Sequence, residues 1–250
     1  MPGHEAFAVE STATSRRAHP LDGVPVSNAS DQATNNPAQP GWFEALGRRL
    51  GPNELHRRTW HFTPGVLALI AAAMPNWGPM PPWVLLLMFV VCVTGAIVAL
   101  HFQKSIQRAT ENNCLAPILG YLVCGVPLLL FFPRFPGLGL AVTGIIAFGD
   151  GSAALFGLLW GSTKLPWNKT KTWVGTASFV FVAFPITTLL YWGGSLTHVS
   201  INDAVLCIGP TVVVAALVES LLIRLNDNMF VGLSAAITLL GLHTLIVGWA

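Results

Sequence analysis

Seven long apolar runs between residues 62 and 249 decide what this chain can fold into. Pro, Gly, Asn or charged residues separate them, and they lie at about 62–76, 83–100, 115–132, 138–160, 173–192, 204–223 and 230–249. A helix of about 20 apolar residues crosses the hydrocarbon core of a bilayer and satisfies its own backbone hydrogen bonds there. Because 53% of the residues are hydrophobic and only 10% are charged, the sequence predicts an all-α membrane protein, a polytopic bundle of about seven transmembrane helices.

Composition divides the chain into three predicted regions. Residues 1–40 are rich in Ser, Ala, Asn, Pro and Gly, which predicts a disordered N-terminal tail. Residues 41–60 combine aromatic residues with two Arg pairs. This combination indicates an amphipathic helix lying on the membrane interface, with a solvated linker as the alternative. Residues 61–250 form the predicted transmembrane domain.

The distribution of basic residues predicts the orientation in the membrane. Excess Lys and Arg mark the cytoplasmic side. If the N-terminus is inside and the chain crosses seven times, only Arg134 of the 13 Lys and Arg residues falls outside. The sequence therefore predicts an integral, multi-pass protein whose N-terminus and 161–172 connection face the cytoplasm. A net charge of +2, with no nucleic-acid motif, argues against a nucleic-acid partner.

An acid, Asp150, stands inside the fourth apolar run. A carboxylate at membrane depth costs about 3 kcal/mol on insertion scales, so it needs a cation, a proton or a water-filled cleft. Asp150 is therefore a candidate functional residue, and structural pairing with a buried Lys or Arg is the alternative. The glycines at 149 and 151 predict an interrupted helix here, and Gly209-Pro210 predicts a second interruption in the sixth run.

Small residues recur at every fourth position around this acid. This small-residue stripe consists of Gly149, Ala153, Gly157 and Gly161. A helix face without bulky side chains either admits a flat ligand or packs closely against another helix. Three lysines follow within the next ten residues, where they can meet an anion held over that face.

Four polar clusters reach the predicted cytoplasmic face. They are Arg57-Arg58-x-x-His61, the stretch from Asp150 to Lys171, Glu219, and Asn226-Asp227-Asn228. Separated acids bind Mg²⁺, which takes oxygen ligands and keeps waters and substrate phosphates. Lys and Arg then hold the remaining phosphate charge, so the combination favours a nucleoside triphosphate over an ion path.

These motifs resemble the dolichol kinase and phytol kinase group of integral-membrane, CTP-dependent lipid kinases. The resemblance covers about residues 57 to 250 and rests on the order and spacing of the motifs together. The matching motifs are Arg57-Arg58 through His61 to Gly65; Gly149-Asp150 through Gly157, Gly161, Lys171-Thr172 and Gly175; and Glu219 followed by Asp227-Asn228.

The resemblance implies a kinase that transfers the terminal phosphate of CTP to a lipid alcohol such as a polyprenol, a phytol-like isoprenoid or diacylglycerol. The catalytic site would lie in the 61–250 domain, with His61 as the base. The implied catalytic residues are Asp150, Glu219 and His61. The implied magnesium ligands are Asp150, Glu219 and Asp227. The implied nucleotide-binding residues are Lys171, Thr172, Gly157, Gly161, Gly175, Arg57, Arg58, Asp227 and Asn228.

The chain departs from the family pattern at two positions. Arg58 stands where the family has Lys, and Val174 stands where it has a glutamate. On a helix that includes residue 171, the side chain at 174 would share a face with Lys171. A glutamate there could pair with Lys171 or reach a metal ion, so Val174 raises the alternative of a catalytically silent relative.

Two rival functions use the same residues. A cytidylyltransferase would convert CTP and a lipid to a CDP-lipid and pyrophosphate. An ion-coupled or proton-coupled transporter would use Asp150 and Glu219 as intramembrane binding groups, although no internal repeat of the transporter kind is visible. The predicted partners of the kinase are the bilayer, the lipid alcohol and a nucleoside triphosphate, and the sequence does not indicate an oligomeric state.

Overall fold

The structure is a computed structural model that describes residues 52–74, 82–101, 119–196, 199–221 and 227–249. The predicted tail at 1–40 and residues 41–51 of the predicted interfacial helix lie outside these described ranges. Helix α1 runs from Pro52 to Ala73 and therefore continues across the predicted boundary at residue 60.

The regular secondary structure of the described residues is helical, and their one β-type feature is an isolated bridge between Lys164 and Thr172. After α1 come α2 (Pro82–His101), a π-helical turn π1 (Tyr121–Gly125) and α3 (Val126–Phe131). Helix α4 (Pro136–Gly144), a second π-helical turn π2 (Ile145–Asp150) and α5 (Gly151–Trp160) follow one another without a break. The last helices are α6 (Trp173–Gly193), α7 (Ile201–Ser220) and α8 (Asp227–Ile246).

Each predicted apolar run corresponds to one helical stretch in the described part of the chain. Four stretches are long and apolar enough to cross a membrane: Pro136–Trp160, Trp173–Gly193, Ile201–Ser220 and Asn228–Ile246. Tyr121–Phe131 is apolar but shorter. The prediction of an all-α membrane bundle is thus confirmed, and the number of seven spans stays a prediction.

Local sequence explains where the two central helices begin. The Thr172 side chain caps α6 by accepting a hydrogen bond from the Gly175 N–H at 3.1 Å. Ser200 caps α7 in the same way from the Asp203 N–H at 3.1 Å. Such caps satisfy backbone donors that have no partner inside the helix.

Helices α6 and α7 lie at the centre of the bundle. Helix α6 contacts α4, α5, π2 and α7, while α7 also packs along α8. Fully buried Ile146, Phe179, Val212 and Leu239 belong to one continuous apolar core contributed by these elements. The π2 turn therefore contacts α1 as well as α6 and belongs to this apolar core.

The predicted interruption at Gly209-Pro210 is wrong, because α7 is a continuous α-helix through both residues. Pro210 has no N–H to donate to the preceding turn, but one missing bond does not break a helix that is packed against two neighbours. The neighbouring Thr211 hydroxyl donates to the Cys207 carbonyl at 2.7 Å. At Asp150 the helix is also unbroken, and it widens into the π2 turn instead.

The small-residue stripe lies where α5 and π2 pack against α6. A Cβ atom on Gly149 would lie 2.6 Å from the Phe179 ring, and one on Gly157 would lie 3.0 Å from Thr172 Oγ1. A Cβ on Gly175 would lie 2.8 Å from the Ala153 carbonyl oxygen. The stripe therefore takes part in helix packing, and its use as a ligand-binding surface stays a prediction.

Candidate functional site

The charged residues of the predicted site include a close pair between α1 and π2. His61 Nε2 lies 3.3 Å from Asp150 Oδ2 and 3.2 Å from the Ile146 carbonyl oxygen. Both side chains are largely buried, with 9% and 14% exposed. Because both neighbouring oxygens are acceptors, the hydrogen of a neutral His61 ring lies on Nε2 and Nδ1 is the basic nitrogen.

Both π-helical turns meet His61. Asp150 is the last residue of π2, and Tyr121 is the first residue of π1. The Tyr121 hydroxyl donates to the His61 backbone carbonyl at 3.0 Å, and the two rings lie edge to face with centroids 6.0 Å apart. Single π-helical turns inside helices occur frequently at functional sites. Sequence reasoning missed Tyr121, because a tyrosine in an apolar run has no distinguishing neighbour.

The predicted basic motif presents one face of α1 to this site. Arg58, His61 and Gly65 are three and four residues apart, so they share a helix face. Arg58 is buried, with 7% exposed. A Cβ atom on Gly65 would lie 2.7 Å from Ala147 Cβ, so only glycine lets α1 approach π2 closely enough for His61 to reach Asp150. The side chain of Arg57 lies outside the described part of the structure.

A second pair joins the 161–172 connection to α7. Lys171 Nζ donates to Glu219 Oε1 at 2.5 Å. The Glu219 carboxylate is 2% exposed and the Lys171 side chain 24%. Lys171 and Arg58 also attract the Asp150 carboxylate electrostatically. The structure therefore brings residues from four predicted positions, His61, Asp150, Lys171 and Glu219, into one charged cluster.

Asn168, which sequence reasoning missed, fixes the same connection to the end of α7. Its Nδ2 donates to the carbonyl oxygens of Ser220 at 3.2 Å and Leu221 at 3.1 Å. The neighbouring Trp167 Nε1 donates to Ser220 Oγ at 3.2 Å. The sequence signal is weak, since an Asn between Trp and Lys reads only as a turn residue.

The remaining predicted nucleotide-binding residues take two positions. Thr172, Gly157, Gly161 and Gly175 lie together where α5 meets the start of α6. The Asn228 backbone touches Gly120, the residue before π1, because a Cβ on Gly120 would lie 2.9 Å from the Asn228 oxygen. The side chain of Asp227 lies outside the described residues. A ligand-binding role for each stays a prediction.

The prediction that residue 174 shares a helical face with Lys171 is wrong. Thr172 has an extended backbone with φ −129° and ψ 152°, and α6 begins only at Trp173. Lys171 therefore precedes the helix, and the spacing of three residues does not place Val174 on a shared helical face with it. Val174 is 36% exposed. The carboxylate beside Lys171 is supplied instead by Glu219.

The acids suit a metal ion only in part. Among the described side chains, no three His, Cys, Asp or Glu residues gather into a metal-binding group. Mg²⁺ does not require one, since it is commonly bound by one or two carboxylates plus waters and substrate phosphates. The carboxylates of Asp150 and Glu219 supply oxygen donors of the kind that Mg²⁺ prefers, and each lies beside a base, His61 or Lys171.

Fold and site together define a class: a helical membrane protein with acids and bases gathered in a buried cluster. Curated relatives narrow that class. Phytol kinase 1, chloroplastic, of Arabidopsis thaliana is 29% identical over 208 residues, which cover 77% of this chain and 68% of the relative. Probable phytol kinase 1, chloroplastic, of Glycine max is 30% identical over 209 residues, with the same two coverages.

A third relative, farnesol kinase, chloroplastic, of Arabidopsis thaliana, is 26% identical over 139 residues, or 54% of this chain and 45% of the relative. No protein-family model and no solved structure matches the chain. The chain belongs to the phytol kinase family. The predicted resemblance to lipid-alcohol kinases is thereby confirmed.

Proposed function

We propose that this protein is a membrane-embedded kinase that transfers the terminal phosphate of a nucleoside triphosphate, CTP, to the hydroxyl of an isoprenoid alcohol of the phytol or farnesol type. The observation that carries the proposal is the cluster of His61, Asp150, Lys171 and Glu219, assembled from four separate chain segments in a chain of this family. Family membership supports an isoprenoid alcohol as the substrate and phosphorylation as the reaction, and the cluster supports the position of the active site.

The lipid hydroxyl is the nucleophile, and it needs a group that accepts its proton. His61 suits that role, because its Nε2 faces the Ile146 carbonyl oxygen and the Asp150 carboxylate, which leaves Nδ1 as the basic nitrogen. As the alcohol oxygen bonds to the γ-phosphorus and the bond to the β-phosphate oxygen breaks, the proton passes to Nδ1 and CDP leaves. The Asp150 carboxylate then stabilises the imidazolium and holds the ring in place.

Lys171 and Arg58 would balance the charge of the triphosphate during transfer. Cations fixed beside the phosphoryl oxygens stabilise the transition state, and this electrostatic contribution usually exceeds that of a base. Asp150 and Glu219, with Asp227 from the start of α8, would hold Mg²⁺. Bound there with waters and phosphate oxygens, Mg²⁺ would neutralise charge developing on the β- and γ-phosphates.

The test uses purified protein with γ-labelled CTP, Mg²⁺ and a panel of phytol, farnesol, dolichol and diacylglycerol. We expect label in the lipid phosphate and CDP as the second product. A CDP-lipid with release of pyrophosphate would instead identify a cytidylyltransferase. Absence of any nucleotide-dependent lipid product would overturn the proposal.

We further propose that the N-terminus and the 161–172 connection face the cytoplasm and that residue 250 lies outside, because seven spans would put all Lys and Arg residues except Arg134 on the cytoplasmic side. The nucleotide pool is cytoplasmic, so the orientation and the kinase role depend on each other. A reporter active only in the cytoplasm should report activity when fused within 161–172. The same reporter fused at 194–196, between α6 and α7, should be inactive. The reverse pattern would eliminate this site.

A further inference from the structure

Four hydrogen bonds converge on the side chain of Asn168, which is 2% exposed. Besides its two bonds to the end of α7, its Oδ1 accepts from the Thr170 N–H at 3.0 Å and from the Thr170 hydroxyl at 2.6 Å. The nitrogen thus faces two carbonyl oxygens and the oxygen faces two donors. Only an amide of this length supplies both kinds of group at these places.

The backbone around Asn168 holds Lys171 as well. The Lys171 N–H donates to the Asn168 carbonyl at 3.2 Å, and the Leu165 N–H donates to the Lys171 carbonyl at 3.1 Å. The connection is therefore a closed turn, and the side chains of Trp167, Asn168 and Lys171 each link it to the end of α7. Glu219, the partner of Lys171, immediately precedes Ser220, to which Asn168 is bonded.

The end of α7 is electrostatically unsuited to a phosphate site. The last carbonyls of a helix lack intrahelical donors and carry roughly half a negative charge. In α7 they lie beside Lys171, the cation assigned to phosphate. The Asn168 amide covers the Ser220 and Leu221 carbonyl oxygens, so it both satisfies them and reduces their repulsion of an anion.

We infer that Asn168 is a positioning residue for nucleotide binding, which fastens the Lys171-bearing connection to the carboxyl end of α7 and shields that end from the phosphates. The inference rests on the proposed kinase function for its kinetic consequence. Asn168 is buried and its four side-chain hydrogen bonds are internal, so its effect passes through Lys171 and the capped carbonyls. Asn168 links the Lys171 turn to the backbone at the end of α7 through two side-chain hydrogen bonds.

The test compares Asn168→Asp with the wild type. The aspartate keeps the acceptor for Thr170 but loses both donors and adds a negative charge beside the α7 carbonyls. With CTP and phytol as probes, we expect the KM for CTP to rise about tenfold or more, since two hydrogen bonds are lost. The KM for phytol should change by less than about twofold. Asn202→Asp, at the exposed opposite end of α7, makes the same chemical change and should alter neither KM.

A second readout needs no kinase activity. Trypsin cleaves after lysine, and the docked turn protects Lys171 and restrains Lys169. Asn168→Asp should accelerate cleavage at these two sites, while Asn202→Asp should not. If wild-type protein transfers no phosphate, the proposed function fails, and the cleavage rates still decide whether Asn168 fastens the connection.

The inference is overturned if the KM for CTP and the cleavage rates match the wild type, or if the apparent kcat falls while both KM values stay unchanged, as in general destabilisation. Should Asn168→Asp fail to fold, Thr170→Val provides a milder change. It removes one donor to Asn168 Oδ1 from an exposed residue, and it should raise the KM for CTP about threefold. An unchanged KM for CTP in this variant would then reject the inference.

Discussion

Asp150→Asn should lower kcat/KM for lipid phosphorylation by about 10³-fold while leaving the protein folded. The variant keeps the size and polarity of the side chain and can still accept a hydrogen bond from His61 Nε2. It loses the charge that would stabilise the His61 imidazolium and help to hold Mg²⁺. Because Asp150 Oδ2 lies 3.3 Å from His61 Nε2, we expect both effects to act on the transition state. Initial rates with γ-labelled CTP and phytol, at several Mg²⁺ concentrations, measure the loss.

Asp203→Asn is the matched control for this variant. Asp203 lies in the first turn of α7, at the opposite end from Glu219, and accepts a hydrogen bond from the Ser200 hydroxyl at 2.8 Å. Removing that charge should leave kcat/KM close to the wild-type value. If Asp150→Asn also phosphorylates phytol at close to the wild-type rate, Asp150 is a helix-packing residue and the catalytic assignment is rejected.

Lys171→Met should destabilise the protein as well as inactivate it. The Glu219 side chain is 2% exposed, and the substitution removes the cation that lies 2.5 Å from its buried charge. Breaking such a pair from one side typically costs about 3–5 kcal/mol. Loss of a phosphate-binding cation should also lower kcat/KM by about 10²-fold. Melting temperatures in detergent and kinase rates measure the two consequences separately.

The double variant Lys171→Met/Glu219→Met separates stability from function. Replacing both members of a buried pair by apolar residues of similar volume is often neutral for stability. We therefore expect a melting temperature near that of the wild type together with the same loss of activity. Lys164→Met, which removes an exposed lysine from the same connection, should change neither property. Recovery of activity in the double variant would show that Lys171 serves the fold alone.

The sequence predicts the helices and much of the cluster. Helix length and apolar content depend on local composition, so the boundaries of α6 and α7 agree closely with the predicted runs. Arg58, His61 and Asp150 were recognisable because charged or ionisable groups beside apolar runs are costly and therefore conspicuous.

The partners of those residues were not predictable, because they depend on tertiary contacts. The residues around Lys171 do not indicate whether its partner is Glu219 or a residue at position 174. The extended backbone of the Thr172 cap places Lys171 outside α6, and its partner is Glu219. Asn168 acts through backbone carbonyls of α7, which carry no sequence signature. A π-helical turn is also invisible in the apolar pattern, since one added residue hardly changes a run of buried side chains.

Because of the π2 turn, the helix that contains it cannot gain or lose a residue without changing its contacts. A π-helical turn is an α-helix with one additional residue, which rotates everything beyond it by about 100°. Asp150, at the end of the turn, faces His61 on α1, while Ala153 and Gly157 beyond it face α6. Deleting one residue from Ile145–Asp150 would restore a regular helix and turn one of these two faces away from its neighbour. Loops absorb insertions and deletions readily, whereas here a change of a single residue would separate the acid from its base or α5 from α6.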